Sequence, residues 1–316
     1  MGKIGMSQTN NLPNRRKVLR YGAALGAVTV LAPTLSVAAT APLIKRAIPR
    51  TGELLPIVGI GTSRVFDIGS DRDAWRERQG VLQHLFDGGA TLIDTAPSYQ
   101  DAENVIGQLL QTMGARKKAF LATKVWADGK AEGDAQIAQS FRYLRTDKID
   151  LFQVHNLSDT DTQFASLQAL KNQGKVRYAG ITHYLESYND ELAAAMRKHK
   201  PDFVQFEYSL NQTSAEKVLL PLAADLGIAV LVNRPFGRGA MFRRVRGRKL
   251  PDWAAEFGAG TWAQFFQKFI LGHPSVNCVL PGTDKIKYMI DNLGAGRGPL
   301  PDPTMRKRMV KLWESI

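Results

Sequence analysis

Cysteine is almost absent from this sequence, since Cys278 is the single one among 316 residues. A lone thiol excludes an intramolecular disulfide, so the chain does not rely on the disulfide framework of small exported proteins. Histidine is also scarce, with five residues, and no two of them show the spacing of a paired metal-ligand motif. No metal site is therefore predicted.

Long apolar runs are missing as well. Outside the N-terminal segment, no stretch approaches the roughly 20 apolar residues of a permanent membrane span.

Basic residues outnumber acidic residues, and the formal net charge is +13. Five basic residues and no acid lie within residues 1–41, which leaves +8 for the rest of the chain.

A basic surface of this kind suits an anionic cofactor or substrate, or alternatively an anionic membrane surface. Basic and aromatic residues do not interleave as they do in nucleic-acid binders, so no nucleic-acid partner is predicted.

The N-terminal segment has the three parts of an export signal. A basic run at residues 14–20 contains Arg15 and Arg16, an apolar stretch rich in alanine and glycine follows at 21–37, and small residues crowd 36–41. The paired arginines and the weakly hydrophobic core resemble the twin-arginine export signal.

We therefore expect residues 1–41 to be a signal segment, read by the twin-arginine export machinery, and residues 42–316 to act in the periplasm. An uncleaved segment would instead hold the protein at the membrane, which is the one membrane contact predicted. A disordered basic N-terminus on a cytoplasmic enzyme is the remaining alternative.

Short β-rich runs alternate with longer amphipathic segments over the rest of the chain. Residues 47–56 are typical of a β-hairpin that turns at Thr51-Gly52. Eight further strands are predicted at residues 57–61, 91–94, 120–124, 149–155, 178–182, 203–208, 229–233 and 278–281. The helices between and after them are predicted at residues 73–86, 102–111, 134–143, 161–172, 185–199, 215–226, 261–271 and 286–293.

The number of these units indicates the fold class. The strands are apolar on both faces, as in a parallel sheet covered by helices. Eight βα units in a chain of this length predict an α/β protein, a closed (β/α)8 TIM barrel with an N-terminal hairpin and an extra C-terminal helix. An open doubly wound sheet would need a glycine-rich turn after its first strand. Gly59-Ile60-Gly61 begins such a turn, but Arg64 stands at the third glycine position, so the barrel is favoured.

Polar side chains stand at the ends of successive predicted strands. Strand two ends at Asp94, with Tyr99 in the loop that follows, strand three at Lys124 and strand four at His155. Catalytic groups of such barrels come from the carboxyl ends of several strands, so these four residues (the tetrad) are expected on one rim. Each alone has an ordinary structural explanation; their coincidence is what indicates catalysis.

A physical role connects the four side chains. An ammonium beside a phenol lowers the pKa of the phenol, and a carboxylate holds the ammonium in place. Tyr99 is therefore predicted to exchange a proton near neutral pH. His155 would orient the substrate oxygen or help to relay the proton.

The segments that carry the tetrad resemble motifs of the aldo-keto reductase family. Residues 94–107 are similar to the first of these motifs, and residues 122–126 and 150–155 are similar to two others. The resemblance extends from the hairpin to the last helix. It implies Tyr99 as the general acid in reduction, Lys124 and Asp94 as groups that adjust its pKa, and His155 as the residue that orients the substrate.

The same resemblance implies a nicotinamide cofactor, NADP with NAD as the alternative. Thr182 and His183 correspond to the polar pair that holds the nicotinamide amide, with His183 in place of the usual asparagine. Gln205 corresponds to an amide-binding glutamine, and Tyr208 to the aromatic residue that stacks on the nicotinamide.

Two later segments resemble the phosphate-binding parts of the family. Residues 233–239 are similar to the loop over the pyrophosphate, and residues 280–292 to the adenosine-phosphate site, in which the last two residues would face the adenine. The implied contact residues are Arg234, Pro235, Gly237, Arg238, Gly239, Gly282, Thr283, Lys285, Asp291 and Asn292.

We therefore predict an NAD(P)-dependent oxidoreductase that moves hydride between the cofactor and an aldehyde or ketone, or in reverse from an alcohol. A barrel that binds the cofactor as a sensor or partner subunit is the alternative, although it has no need of the tetrad. Phe66, Trp75, Trp126 and Tyr184 are candidates for the wall of a substrate pocket, with Trp126 the best of them.

Overall fold

Eight short parallel strands close into a ring in the computed structural model, which describes residues 41–316. The predicted signal segment, residues 1–41, lies outside the described residues except for its last residue, Ala41. A two-stranded antiparallel hairpin precedes the ring. The strands are β1 Lys45–Ala47, β2 Leu54–Pro56, β3 Ile60–Gly61, β4 Leu92–Asp94, β5 Phe120–Val125, β6 Ile149–His155, β7 Val176–His183, β8 Phe203–Glu207, β9 Ala229–Asn233 and β10 Cys278–Val279.

The sheet runs in order from β3 to β10, and each neighbouring pair is parallel. Parallel bridges from Val58 to Val279 and from Gly61 to Gly282 join its two edges. The predicted (β/α)8 barrel with its N-terminal hairpin is therefore confirmed.

Helices surround this ring. They are α1 Arg72–Asp87, α2 Ala102–Thr112, α3 Lys130–Tyr143, α4 Thr160–Asn172, α5 Asn189–His199, α6 Leu219–Leu226, α7 Ala240–Arg244, α8 Trp262–Leu271, α9 Ile286–Ala295 and α10 Pro303–Ser315. The last of them is the predicted extra C-terminal helix. None of the helices in residues 41–316 combines the length and the apolar character needed to cross a membrane.

The helix predicted at residues 215–226 begins later than expected. Its first part is a separate 3-10 turn, Ser214–Glu216, and α6 starts at Leu219. The reason is Pro221, which lacks a backbone N–H and fits only the first turn of a helix. A helix from residue 215 would have placed this proline in its interior.

Alternation along the strands separates the barrel interior from the layer beneath the helices. Phe120 and Ala122 of β5 point inward and pack with Leu92, Leu151 and Phe203 from neighbouring strands. The hairpin covers the bottom of this interior with Ile48 and Leu55, both fully buried. The inward face of each strand therefore begins in an apolar layer and ends at the open rim.

The C-terminal helix is fastened to the outside of the barrel by a buried polar cluster. Tyr208 follows β8 and is fully buried, and its hydroxyl lies 2.6 Å from Glu216 Oε1. Arg306 of α10 donates to the same carboxylate oxygen at 2.6 Å and to the Tyr208 hydroxyl. Its guanidinium also lies 4.5 Å from the ring centroid of Phe269. One arginine thus joins α10 to three parts of the barrel wall.

We expect Arg306→Met to lower the free energy of unfolding by about 2–4 kcal/mol, because it leaves the Glu216 carboxylate and the Tyr208 hydroxyl without their shared partner. Thermal and urea unfolding followed by circular dichroism would measure the loss. Arg308→Met is the matched control, since Arg308 is half exposed, pairs with the exposed Glu256 and, like Arg306, lies over an aromatic ring, that of Trp253; it should cost less than about 1 kcal/mol. Equal losses in the two variants would contradict the anchoring role.

Candidate active site

A buried ion pair stands at the open end of the barrel. The Lys124 ammonium lies 2.9 and 2.8 Å from the two Asp94 oxygens and 2.8 Å from the Thr95 carbonyl oxygen. Lys124 is 1% exposed and Asp94 4% exposed. Both belong to the inward faces of their strands, one step above the apolar layer of Leu92 and Ala122. The three ammonium hydrogens therefore all have acceptors, which a buried charge requires.

Tyr99 lies against this ion pair. Its ring centroid is 5.1 Å from the Lys124 nitrogen, and its backbone N–H donates to the carbonyl of Ala96 in the turn before α2. Burial raises the pKa of the Tyr99 phenol above its usual range, while Lys124 lowers it part of the way back and Asp94 raises it. The lowering of the pKa that Lys124 alone would cause is therefore outweighed by burial. The phenol keeps its proton at neutral pH and is a proton donor.

His155 completes the cluster at the end of β6. Its ring centroid lies 6.1 Å from that of Tyr99 and 5.8 Å from that of Trp126, and its Nδ1 is 3.5 Å from the Ser98 hydroxyl. Burial, together with the charge of Lys124, lowers the pKa of His155 to about 3. The imidazole is therefore neutral at physiological pH and offers one N–H to an acceptor.

Two glutamines support the Asp94 carboxylate. Gln205 Nε2 donates to Asp94 Oδ1 at 3.0 Å, and Gln153 Nε2 lies 3.4 Å from the same oxygen. The other end of Gln205 accepts from the Thr182 hydroxyl at 3.3 Å. The sequence analysis does not identify Gln153 as a site residue, although it stands two residues before His155 and so lies on the same inward face of β6. Gln205 therefore connects the tetrad to the strand that carries Thr182.

A cavity of about 620 Å³ opens above the tetrad. Trp126 and Tyr184 lie in its wall, as predicted; Phe66 is buried beneath the loop after β3, and Trp75 donates its indole N–H to the Gly69 carbonyl, so neither lines it. The predicted site residues in the cavity wall are Asp94, Tyr99, His155, Thr182, Gln205, Arg234, Pro235, Arg238, Gly239 and Gly282.

Two residues assigned to the nicotinamide do not reach this cavity. His183 follows the inward-facing Thr182 and so points outward; its ring stacks on Tyr188 at 4.0 Å, and its Nδ1 accepts from the Leu185 N–H. Tyr208 stands three residues after the inward-facing Gln205, also on the outer face, where it binds Glu216 and Arg306. Strand alternation is the reason that neither side chain lies in the cavity wall.

Three of the residues assigned to the adenosine-phosphate site use their polar groups in contacts within the protein. Asn292 is buried, accepts from Gln267 at 2.8 Å and donates to the Thr283 hydroxyl at 2.9 Å. Asp291 accepts from Thr261 and Gln264. The polar groups of Thr283, Asp291 and Asn292 are thus engaged within the protein.

Of the remaining phosphate-site predictions, Lys285 is exposed and Gly237 begins a turn beside the cavity. Neither residue lies in the cavity wall itself.

Several cavity residues were not named as site residues from the sequence. The end of β3 and the loop after it contribute residues 61–65, Asn156 directly follows β6, and Asn233 is the last residue of β9. The side-chain oxygens of these two asparagines are buried without a hydrogen-bond partner among the described residues. Both oxygens can therefore accept a hydrogen bond from a molecule in the cavity.

Comparison with known proteins gives the family. The model of the aldo/keto reductase family matches residues 58–313. The chain belongs to this family. It is 29% identical over 278 residues to the aldo-keto reductase str7 of Strobilurus tenacellus, covering 76% of this chain and 81% of that one. A relative from Glycine max, called probable aldo-keto reductase 1, is 26% identical over 283 residues, with 76% and 81% covered.

Solved structures of the family share the architecture. An aldo-keto reductase from Klebsiella pneumoniae in complex with NADPH superimposes with a TM-score of 0.72 at 24% identity, over 86% of this chain and 96% of that one. The thermostable aldo-keto reductase Tm1743 gives a TM-score of 0.72 at 23% identity, over 85% and 100%. At these identities the likeness establishes the barrel fold.

A second buried carboxyl stands behind the site in this family member. Glu103 of α2 is 1% exposed and accepts from the Thr123 hydroxyl at 2.5 Å and the Ser140 hydroxyl at 3.2 Å. Burial raises the pKa of Glu103 to about 7, against the opposing effect of the two hydroxyls and Lys124. Between pH 4.5 and 7 the folded protein therefore holds a proton that the unfolded chain has released. Stability falls as the pH rises through this window.

Glu103→Gln removes this titration while keeping the side-chain shape. The Tm difference between variant and wild type should become more positive by several degrees from about pH 5 to pH 8, since the full effect is worth about 3 kcal/mol. Calorimetric scans at both pH values would measure it. Glu132→Gln, on the exposed first turn of α3, is the control and should show no such change. A pH-independent difference for Glu103→Gln would show that Glu103 is ionised in the folded protein.

Proposed function

We propose that this family member is an NADP(H)-dependent carbonyl reductase, which reduces an aldehyde or ketone or, in reverse, oxidises an alcohol. The observation that carries the proposal is the buried Lys124–Asp94 pair in contact with Tyr99 at the base of an open cavity. A barrel that only binds a ligand gains nothing from burying two charges beside a phenol, since their desolvation is costly. A catalyst that must donate a proton does gain from it.

Proton transfer to the substrate oxygen is the task of Tyr99. The phenol is protonated at neutral pH and lies in the cavity wall, where it can donate to a carbonyl oxygen. The phenolate left behind is stabilised by the adjacent Lys124 ammonium, which Asp94 holds in place. His155, being neutral, can donate a second hydrogen bond to the same oxygen and so fix its position.

The cofactor would supply the hydride. The cavity wall offers groups that fit it. Arg234 and Arg238 could pair with phosphate charge. A Cβ at Gly239 would meet nothing within 4 Å, and one at Gly282 would meet the Gly61 carbonyl oxygen at 3.9 Å. Bare backbone lets phosphate oxygens approach closely, and arginine pairs well with them. The unpartnered Asn233 oxygen suits an amide donor. The NADPH carried by the Klebsiella pneumoniae protein supports this choice of cofactor.

Tyr99→Phe should lower kcat for aldehyde reduction by on the order of 10²–10⁴-fold, because it removes the donated proton. The dissociation constant for NADPH should stay within about twofold, since the variant loses only a hydroxyl on the substrate side. Stopped-flow or steady-state NADPH oxidation, with fluorescence titration of the cofactor, would measure both. Tyr143→Phe is the control, because Tyr143 is exposed on α3. Full activity in Tyr99→Phe would refute the assignment, and cofactor binding without any turnover by the wild type would favour a sensor or partner subunit.

We also propose that the protein is exported in folded form to the periplasm by the twin-arginine route. The support is the order of parts in residues 1–41: paired arginines, a weakly apolar stretch, then small residues. Folding before export would allow the cofactor to be loaded in the cytoplasm.

Changing Arg15 and Arg16 together to lysine should keep the protein in the cytoplasm, because it removes the paired arginines and preserves the charge. Cell fractionation and immunoblotting of the full chain would locate it, and a size change would show cleavage. Arg20→Lys is the control and should leave export intact. A wild-type chain that stays in the cytoplasm, or a double variant that is still exported, would contradict the proposal.

A further inference from the structure

The turn that carries Tyr99 is attached to the barrel at both ends. At its start, the Thr95 N–H donates to the Ala122 carbonyl of β5 at 2.9 Å. At its end, the Ala102 N–H donates to the Tyr99 carbonyl at 3.2 Å, so the turn runs directly into the first residue of α2. The position of the Tyr99 ring therefore depends on where the start of α2 lies against β5, the strand of Lys124.

Glu103 joins the start of α2 to β5. It is the second residue of the helix, it is 1% exposed, and its Oε1 accepts from the Thr123 hydroxyl at 2.5 Å. Thr123 directly precedes Lys124, and its side chain lies on the outer face of β5 because side chains alternate along a strand. The carboxyl beside the Tyr99 turn is therefore bound to the residue next to the Lys124 backbone.

The same carboxyl has a second partner that does not belong to a barrel strand. The hydroxyl of Ser140 donates to Glu103 Oε2 at 3.2 Å, and Ser140 is fully buried. Ser140 lies on α3, which carries no member of the tetrad. The two hydroxyls therefore make a matched pair. Each satisfies one oxygen of one buried carboxyl, but only Thr123 connects it to the strand of Lys124.

Packing alone does not require a carboxyl at this position. The helix α2 already packs on the core through Val105, Ile106 and Leu109, which are all buried. A buried ionisable group is costly, and an apolar side chain of similar volume is often equally stabilising. Apolar contacts are non-directional and allow small shifts, whereas a hydrogen bond requires a narrow range of distance and angle. The best-attested use of a buried polar group is to fix one register.

We propose that Glu103 is a positioning residue which, through Thr123, fixes the distance between the Tyr99 phenol and the Lys124 ammonium. The ring centroid of Tyr99 lies 5.1 Å from the ammonium nitrogen in the structure. Misplacement of a reacting group by about 1 Å can lower a rate by on the order of 100-fold. The inference rests on the proposed function, because it takes Tyr99 as the proton donor and Lys124 as the cation that stabilises the phenolate.

Three substitutions separate positioning from stability. Thr123→Val keeps the side-chain shape and removes the hydroxyl, Thr123→Ser keeps the hydroxyl and removes a methyl group, and Ser140→Ala removes the other donor to Glu103. The kcat for reduction of 4-nitrobenzaldehyde by NADPH should fall roughly tenfold in Thr123→Val and stay within about twofold in the other two. The melting temperature should fall by a few degrees in all three. The KM and the dissociation constant for NADPH should change little, since neither position lies in the cavity wall.

A second readout does not depend on turnover. Tyrosine labelled with ¹³C at Cζ reports the surroundings of the phenol by NMR, and the Tyr99 resonance is the one missing from Tyr99→Phe. At neutral pH this resonance should move in Thr123→Val, because the contact with Lys124 changes. It should keep its wild-type position in Thr123→Ser and Ser140→Ala.

The outcomes distinguish this inference from the proposed function. An unmoved resonance or a wild-type kcat in Thr123→Val overturns the positioning role of Glu103, and so do equal effects in Ser140→Ala. The reductase proposal stands in each of these cases. A wild type that reduces no aldehyde overturns the proposed function, and the Tyr99 resonance alone then decides whether Glu103 positions the phenol.

Discussion

The buried ion pair between Lys124 and Asp94 is the interaction on which the site depends. Removing two charges from water costs several kcal/mol per ion, and the cost is recovered only with good geometry and further hydrogen bonds. Here the ammonium has three acceptors, and the carboxylate takes further donors from Gln205 and Gln153. Each of these side chains stands on the inward face of a barrel strand. The closed ring therefore supplies the rigid positions without which the pair would not be stable.

The pKa of Tyr99 depends on burial and on Lys124, which act in opposite directions. Burial favours the neutral phenol, while the adjacent ammonium favours the phenolate. A group in this balance keeps its proton until a substrate accepts it, and the cation is already in place for the charge that then develops. Because both Asp94 oxygens already hold the ammonium, the site needs little reorganisation when the proton is transferred. The neutral His155 adds a donor without adding a competing charge.

The sequence predicts the barrel and the tetrad well, because both depend on local patterns. Eight βα units predict closure, and Asp94 and Lys124 can be placed at the rim because each ends an apolar strand. The direction of side chains along the strand shows why Tyr208 lies outside the cavity wall: it is an odd number of residues from the inward Gln205, and only similarity to a motif suggested the cavity. The contacts of Asn292 with Gln267 and Thr283 depend on how distant helices pack, and no local pattern contains that information.

Backbone conformation is the other part that the sequence does not reveal. Arg64, Arg234 and Arg238 all have φ between 50° and 65°, in loops that follow the first and seventh strands of the ring. Conformations of this kind cost about 1–3 kcal/mol per residue and need support from their surroundings. Thr62 and Arg78 provide it for one loop, and the Glu207 pair and the Tyr184 ring for the other. Both loops therefore hold unfavourable backbone conformations that place arginine side chains in the wall of one cavity. The floor of this cavity carries no net charge, because Lys124 and Asp94 neutralise each other.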